Sequence, residues 1–138
     1  MERTLLIIKP NLVATNKTGE ILARVESEGF VILGLKRLIL SPQEANLFYR
    51  IHEGKKFFDE LVEFITSGPI VACCLGKENG VRYLREIVGD TDPRKAKPGT
   101  LRALYGTDIE HNGVHASNPD ENPLREVHFF FSTHELLS

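Results

Sequence analysis

Thr4-Leu5-Leu6-Ile7-Ile8 is a short, continuous apolar run stopped by Lys9-Pro10. That pattern predicts a buried strand and leaves Lys9 standing at its end. From Gly19 to Glu28 the apolar positions Ile21, Leu22 and Val25 recur at helical spacing, and Gly29 follows as a closing C′ residue. Phe30 to Leu40 alternates and is rich in strand formers, after which Ser41-Pro42 reads as an N-cap followed by a first-turn proline. Pro42 to Ser67 then predicts an αα-hairpin broken near Gly54, with Leu47, Phe48, Ile51, Phe57, Leu61, Val62 and Ile65 supplying its apolar faces. Gly68-Pro69 ends it. Ile70 to Leu75 is apolar throughout, as a central strand should be. Glu78 to Val88 carries Val81, Leu84, Ile87 and Val88 at helical spacing, and Val127 to Phe131 reads as the last strand.

This order gives two split βαβ halves. The expected fold is α+β, a ferredoxin-like βαββαβ sandwich whose four-stranded antiparallel sheet is backed by helices on one side, with the αα-hairpin as an addition. Gly89 to Asn118 is left over, rich in Gly, Pro, Lys and Arg and with little periodicity. A segment of that length without structure in a compact domain is usually functional, so it is read as a long active-site loop.

Composition narrows the picture in three ways. The chain of 138 residues is 41% hydrophobic and 26% charged, which fits one soluble domain over residues 1–138 with a single core. The formal charge of −2 argues against broad nucleic-acid binding, so any anion site must be local. Met1-Glu2-Arg3 runs straight into the first strand without a charged leader, and no apolar run approaches the ~20 residues of a membrane span. Cys73 and Cys74 are adjacent, a poor geometry for a disulfide. A reducing, cytoplasmic setting is expected.

The best lead to chemistry is His115, inside Asn112-Gly113-Val114-His115-Ala116-Ser117-Asn118. A histidine alone is more often structural than nucleophilic. Here short polar neighbours stand ready to fix its geometry, and Glu126 follows as a carboxylate that the fold can bring back to orient it. Neither a Gly-x-x-x-x-Gly-Lys-Ser/Thr loop nor a Gly-x-Gly-x-x-Gly loop occurs, so phosphate would be gripped by side chains, not by a backbone cradle.

Glu2-Arg3-Thr4-Leu5 with Ile8-Lys9-Pro10, Ser67-Gly68-Pro69, Thr91-Asp92-Pro93, Lys97-Pro98-Gly99-Thr100-Leu101-Arg102 and Asn112-Gly113-Val114-His115-Ala116-Ser117 closely resemble, in order, the nucleoside diphosphate kinases. The likeness runs from about Glu2 to Phe131. It implies the ferredoxin-like fold and transfer of a γ-phosphoryl group from a nucleoside triphosphate to a diphosphate through a phosphohistidine. It further implies His115 as the phosphorylated residue, and Lys9 and Asn112 toward ribose and phosphate. Phe57 would stack on the base, and Arg85, Thr91 and Arg102 would form the phosphate clamp. Tyr49, Ser117 and Glu126 would form the shell around the histidine. Homo-oligomers and Mg²⁺ carried by the nucleotide are implied as well. Asn11 and Asn118 stand where many members carry an acid, and Pro123 is expected to shorten the helix after Asn118. These departures motivate an alternative, a catalytically weak nucleotide-binding regulatory module on the same fold.

The chemistry suits these residue types. A covalent relay lets one acceptor serve donor and recipient in turn through a single pocket. Histidine, with a reference pKa of about 6.5, is largely neutral and nucleophilic at physiological pH, whereas lysine is protonated. One ring nitrogen attacks, so the other must be held by an acceptor, and Glu126 is the candidate. Arg85, Arg102 and Lys9 match the charge that spreads over a transferring phosphoryl group. An aromatic face such as Phe57 tolerates every base, which predicts broad nucleotide use. His52 is expected at the pocket rim, and His111, His128 and His134 at the surface or in packing.

Overall fold

The computed structural model describes residues 1–136. Its strands β1 (Glu2–Ile8), β2 (Val31–Leu38), β3 (Ile70–Lys77) and β4 (Val114–Ala116) form one antiparallel sheet in the order β2-β3-β1-β4. Seven helices accompany it: α1 (Pro10–Ala14), α2 (Thr18–Ser27), α3 (Pro42–Phe48), α4 (Phe58–Ile65), α5 (Gly80–Val88), α6 (Leu101–Tyr105) and α7 (Pro123–Phe130). The ferredoxin-like α+β expectation is met in its class and in its four-stranded antiparallel sheet.

β1 and β3 are the two central strands, and their near-continuous apolar sequence reflects burial on both faces. Leu6, Ile8, Val71, Cys73 and Leu75 face one way, against Ile21 and Val25 of α2 and Leu84, Ile87 and Val88 of α5. Leu5, Ile7, Ile70, Ala72 and Cys74 face the other way, against Ala45 and Phe48 of α3, Ile65 of α4 and Val127 and Phe130 of α7. Helices therefore cover both faces of the sheet, not one as expected. Two apolar layers need two sets of helices.

The strand expected over Val127–Phe131 is instead the end of α7 with Phe131 as its C-cap, and the fourth strand is β4. Valine and three phenylalanines favour a strand locally. Tertiary packing selects a helix: Glu126, Val127 and Phe130 are buried at helical spacing while His128 points to solvent. Asn122 supplies the start, with its side chain accepting a bond from the Arg125 N–H at 3.2 Å. Pro123 then occupies the first helical turn, where its missing N–H has no partner to lose, so it begins a helix and shortens none.

The segment 89–118 is likewise not one long loop, since it contains α6 and β4. Thr100 caps α6 by accepting from the Ala103 N–H. Lys9-Pro10 ends β1 as expected, yet Pro10 also opens α1, a helix too short to betray a period. The αα-hairpin is present, broken by a 3₁₀ turn over Arg50–His52. Ser41 and Glu44 form a reciprocal capping box on α3. At the other end of α3, the Arg125 guanidinium donates to Leu47 O at 2.6 Å and Phe48 O at 3.0 Å. This ties α3 to α7 by satisfying carbonyls that a helix end leaves open.

Asn122 is both an N-cap and a residue at φ +53°. Asn122→Ala is expected to lower the unfolding free energy by about 1–2 kcal/mol, and Asn122→Gly by only a few tenths. Urea denaturation of the two variants checks this, and an equal loss in both would assign the effect to the missing side-chain acceptor and not to the left-handed backbone.

Candidate active site

β4 pairs with β1 so that Ile7 lies opposite His115, while Val114 and Ala116 pair with Ile8 and Leu6 in the opposite apolar layer. His115 thus lies on the α3 and α7 side of the sheet. Phe48 stands edge-on to its ring at 5.4 Å between centroids, and Tyr49 at 6.4 Å. His115 Nε2 lies 2.9 Å from Glu126 Oε1, to which the Ser117 hydroxyl also donates at 2.7 Å. Ser117 is fixed in turn by the Leu5 N–H, at 3.2 Å from its Oγ.

Burial pushes the Glu126 carboxyl up, but His115, Ser117 and Arg125 together outweigh it and hold the group below its ordinary value. An ionised Glu126 only accepts hydrogen bonds, so Nε2 of His115 carries the ring proton. The Nδ1 lone pair is left free to act. Glu126 does this from a helix turn, not from beside the last strand as expected.

Cations gather around the same strand. Arg102 is buried and donates to Val114 O at 3.0 Å and Gly89 O at 3.1 Å, while Arg85 donates to Ala116 O at 3.2 Å. The two guanidinium groups thus grip the carbonyls on either side of His115. Lys9 Nζ donates to Asn112 Oδ1 at 2.7 Å, and Asn112 Nδ2 to Thr91 O at 3.1 Å. Burial, with Arg102 alongside, brings Lys9 down to about 7, and burial beside Arg85 brings Arg102 down to about 10. Burial and the neighbouring Glu126 raise Tyr49, keeping it neutral. The Tyr49 hydroxyl and Arg102 Nε are buried with no partner among the described residues.

These groups line a cleft of about 280 Å³. Lys9, Tyr49, Arg85, Thr91, Arg102, Asn112 and His115 line it together with Phe57, while Ser117 and Glu126 stand behind the histidine. Phe57, Leu61, Ile109 and Glu110 line it as well. Phe57 is 38% exposed whereas Phe58 packs into the core, and Ile109 is 46% exposed. His52 lines the cleft near Glu121, at 3.7 Å. Sequence reasoning missed Leu61, Ile109, Glu110 and Glu121 as lining residues. An isolated isoleucine in the polar run Thr107-Asp108-Ile109-Glu110-His111 was the available signal. Asn118 caps the 3₁₀ turn Pro119–Glu121 by accepting from the Asp120 N–H at 2.9 Å. Nothing in the structure accounts for the amide at Asn11, whose Oδ1 is buried without a partner.

Comparison with known proteins agrees with this geometry. The family model described as nucleoside diphosphate kinase matches residues 2–136. The nucleoside diphosphate kinase of a Nitratiruptor species is 47% identical, the match covering 99% of this chain and 100% of the relative. That of Persephonella marina is 45% identical, over 99% and 98%. Among solved structures, the Aquifex aeolicus nucleoside diphosphate kinase aligns with a TM-score of 0.94 at 43% identity, covering 99% of both chains. A halophilic nucleoside diphosphate kinase from Halobacterium salinarum in complex with CDP aligns at 0.95 and 38% identity, over 99% of this chain and 91% of that one.

With Lys9 at about 7, its amine is mostly neutral at pH 8, and a phosphate oxygen placed at Nζ would favour the charged form. Nucleotide binding at pH 8 is therefore expected to take up about one proton through Lys9, and less at pH 6, where the amine is already charged. Calorimetry in buffers of different ionisation enthalpy measures the uptake, and Lys9→Met should abolish it. Equal uptake in wild type and variant would place the titration elsewhere.

Proposed function

The chain belongs to the nucleoside diphosphate kinase family, and we propose that it moves the γ-phosphoryl group of a nucleoside triphosphate to a nucleoside diphosphate through a phosphohistidine at His115. The observation that carries this reading is the 2.9 Å contact from Nε2 to Glu126, which leaves Nδ1 as the attacking atom in a cleft lined by Lys9, Arg85 and Arg102.

In the first half-reaction Nδ1 attacks the γ-phosphorus, an N–P bond forms, and the bond to the bridging oxygen breaks, releasing the nucleoside diphosphate. The ring becomes cationic while Nε2 keeps its proton, so the anionic Glu126 opposes the charge that develops. In the second half-reaction a terminal oxygen of another nucleoside diphosphate attacks the same phosphorus, the N–P bond breaks, and the ring returns to neutrality. Arg85, Arg102 and Lys9 hold the equatorial oxygens in both directions, with Thr91 and Asn112 positioning the chain of phosphates. Tyr49 and Arg102 have buried donors to offer there. Phe57 stacks on the base.

The residues present fit a divalent ion that arrives with its nucleotide. Among the described residues no three His, Cys, Asp or Glu side chains gather to cage a metal, and the lining offers the oxygens of Asn118, Glu121 and Thr91 beside those of phosphate and water. Mg²⁺ held chiefly by the phosphates suits that set, and its chemistry is to neutralise charge on their oxygens. A cytoplasmic setting is supported by Cys73 and Cys74, both buried and free. No helix of the described residues is long and apolar enough to cross a membrane. The chain is read as one domain whose copies assemble. Support for a homo-oligomer comes from β2, an edge strand exposing Val31 and Leu35, with Ile39 exposed just beyond it.

Mixing the protein with Mg²⁺ and ATP is expected to add one phosphoryl group at His115, seen by mass spectrometry without acid, and GDP should remove it as GTP forms. His115→Ala should lose both signals, and an active His115→Ala protein would falsify the relay. Glu126→Gln should slow both half-reactions by roughly 10- to 100-fold, the usual cost of losing a partner that orients a reactive histidine. Leu35→Glu is expected to lower the assembled mass in sedimentation, and an unchanged mass would remove β2 from the interface.

A further inference from the structure

The cleft has an electrical polarity that the transfer reaction does not use. Its lining includes the cations Lys9, Arg85 and Arg102, and also Ile109 and Glu110, at the corner of the turn Asp108–His111. That turn is rigidly built. The His111 N–H donates to Asp108 O at 3.2 Å, and Asp108 Oδ1 lies 2.9 Å from the same nitrogen and 2.8 Å from His111 Nδ1. His111 also meets Phe64 of α4 edge-on at 4.6 Å between centroids. This contact ties the turn to α4, the helix that Phe57 caps and that carries Leu61, so Ile109 and Glu110 line the cleft together with these two residues.

Glu110 is half-buried there, and its carboxylate has no hydrogen bond or ion pair among the described residues. Arg94 feels its charge but is already forked onto Asp92, at 3.0 and 3.2 Å. Glu121, the other acid lining the cleft, faces His52. An unpaired carboxylate in a site for anions is tolerable only away from the phosphates. With the phosphates at Lys9, Arg85 and Arg102, the base end of the substrate comes to lie between Phe57 and the Ile109-Glu110 tip.

We infer that Glu110 is a specificity residue that accepts hydrogen bonds from the amino-bearing edge of the base and biases the enzyme toward guanine and cytosine over hypoxanthine and uracil. The inference rests on the nucleotide reading given above. A carboxylate only accepts hydrogen bonds. Guanine offers it N1–H and the 2-amino group side by side, and cytosine offers its 4-amino group. Hypoxanthine lacks the 2-amino group, and uracil presents a carbonyl where cytosine has its amine, so the carboxylate meets a like dipole. Stacking on Phe57 still admits every base, and Glu110 grades among them.

The test is the rate at which the phosphoenzyme, prepared with ATP and Mg²⁺, is discharged by GDP, IDP, CDP and UDP. Each pair, GDP with IDP and CDP with UDP, has the same ring size and sugar, so differences in stacking largely cancel. Discharge by GDP over IDP and by CDP over UDP is expected to be favoured by about five-fold, a charge-assisted bond weakened by solvent at the cleft mouth. Glu110→Ala and Glu110→Gln should bring both ratios toward unity, chiefly by slowing GDP and CDP. Phe57→Ala should slow all four together. Ratios that stay the same in Glu110→Ala would overturn the inference, as would wild-type ratios near unity. If no phosphoenzyme forms, the failure lies with the transfer mechanism, and dissociation constants for the same four nucleotides then decide the role of Glu110 alone.

Discussion

Three residues of β4 set the position of everything else in the site. Side chains alternate across a strand, so pairing Ile7 with His115 sends Val114 and Ala116 into one apolar layer and the histidine into the other. A slip of one residue would bury His115 among aliphatic side chains and turn Val114 or Ala116 toward Glu126. The register is enforced from both sides. Ser117, just beyond the strand, exchanges bonds with Leu5 through its hydroxyl and its N–H, and Arg102 and Arg85 hold the carbonyls of Val114 and Ala116. The two arginines that line the cleft therefore also fix the strand that carries His115. Neither can shift without disturbing the other.

Such a site is not arranged for its own stability. Lys9 and Arg102 are buried near each other, and burial lowers both from their ordinary values. The Tyr49 hydroxyl and Arg102 Nε add donors without partners, in a fold that otherwise satisfies most of its buried polar side chains. Donors fixed in advance of the ligand need no reorganisation when charge arrives, which is how an electrostatic site accelerates transfer. Glu126, held by Ser117 and His115, meets the ring at Nε2 and leaves Nδ1 open. Placed among the cations, the same carboxylate would have cancelled part of the field they create.

The elements that could be read in the sequence are those whose environment repeats along the chain. β1 and β3 are apolar because helices cover both faces, and α2 and α5 alternate because only one side is buried. β4 has three residues, too few for a pattern, and it sits in a segment whose composition resembles a loop. α7 misleads because Val127 and three phenylalanines favour a strand, while the decision is made by Asn122 in the left-handed region and by a buried face spaced for a helix. In the cleft, ionisable residues set in distinctive motifs announced themselves through their neighbours. Ile109 and Glu110 did not, because a cleft is defined by residues that the fold brings together, and Phe57 lies far from them in sequence.

A relay through one pocket limits how strongly that pocket can recognise a base. Donor and acceptor occupy the same cleft in turn, and they share phosphates but not bases. Tight grip is therefore useful on the phosphates, and the residues proposed to meet them are the buried, hydrogen-bonded ones: Lys9, Arg102 and Asn112, beside the pair His115–Glu126. A base site of equal strength would trap one nucleotide and slow the exchange with all others. The walls at the other end are accordingly partly exposed and apolar, with Phe57 and Ile109 offering surfaces in place of donors. Any preference among bases must then come from a group that adds little binding, such as one solvated carboxylate at the rim.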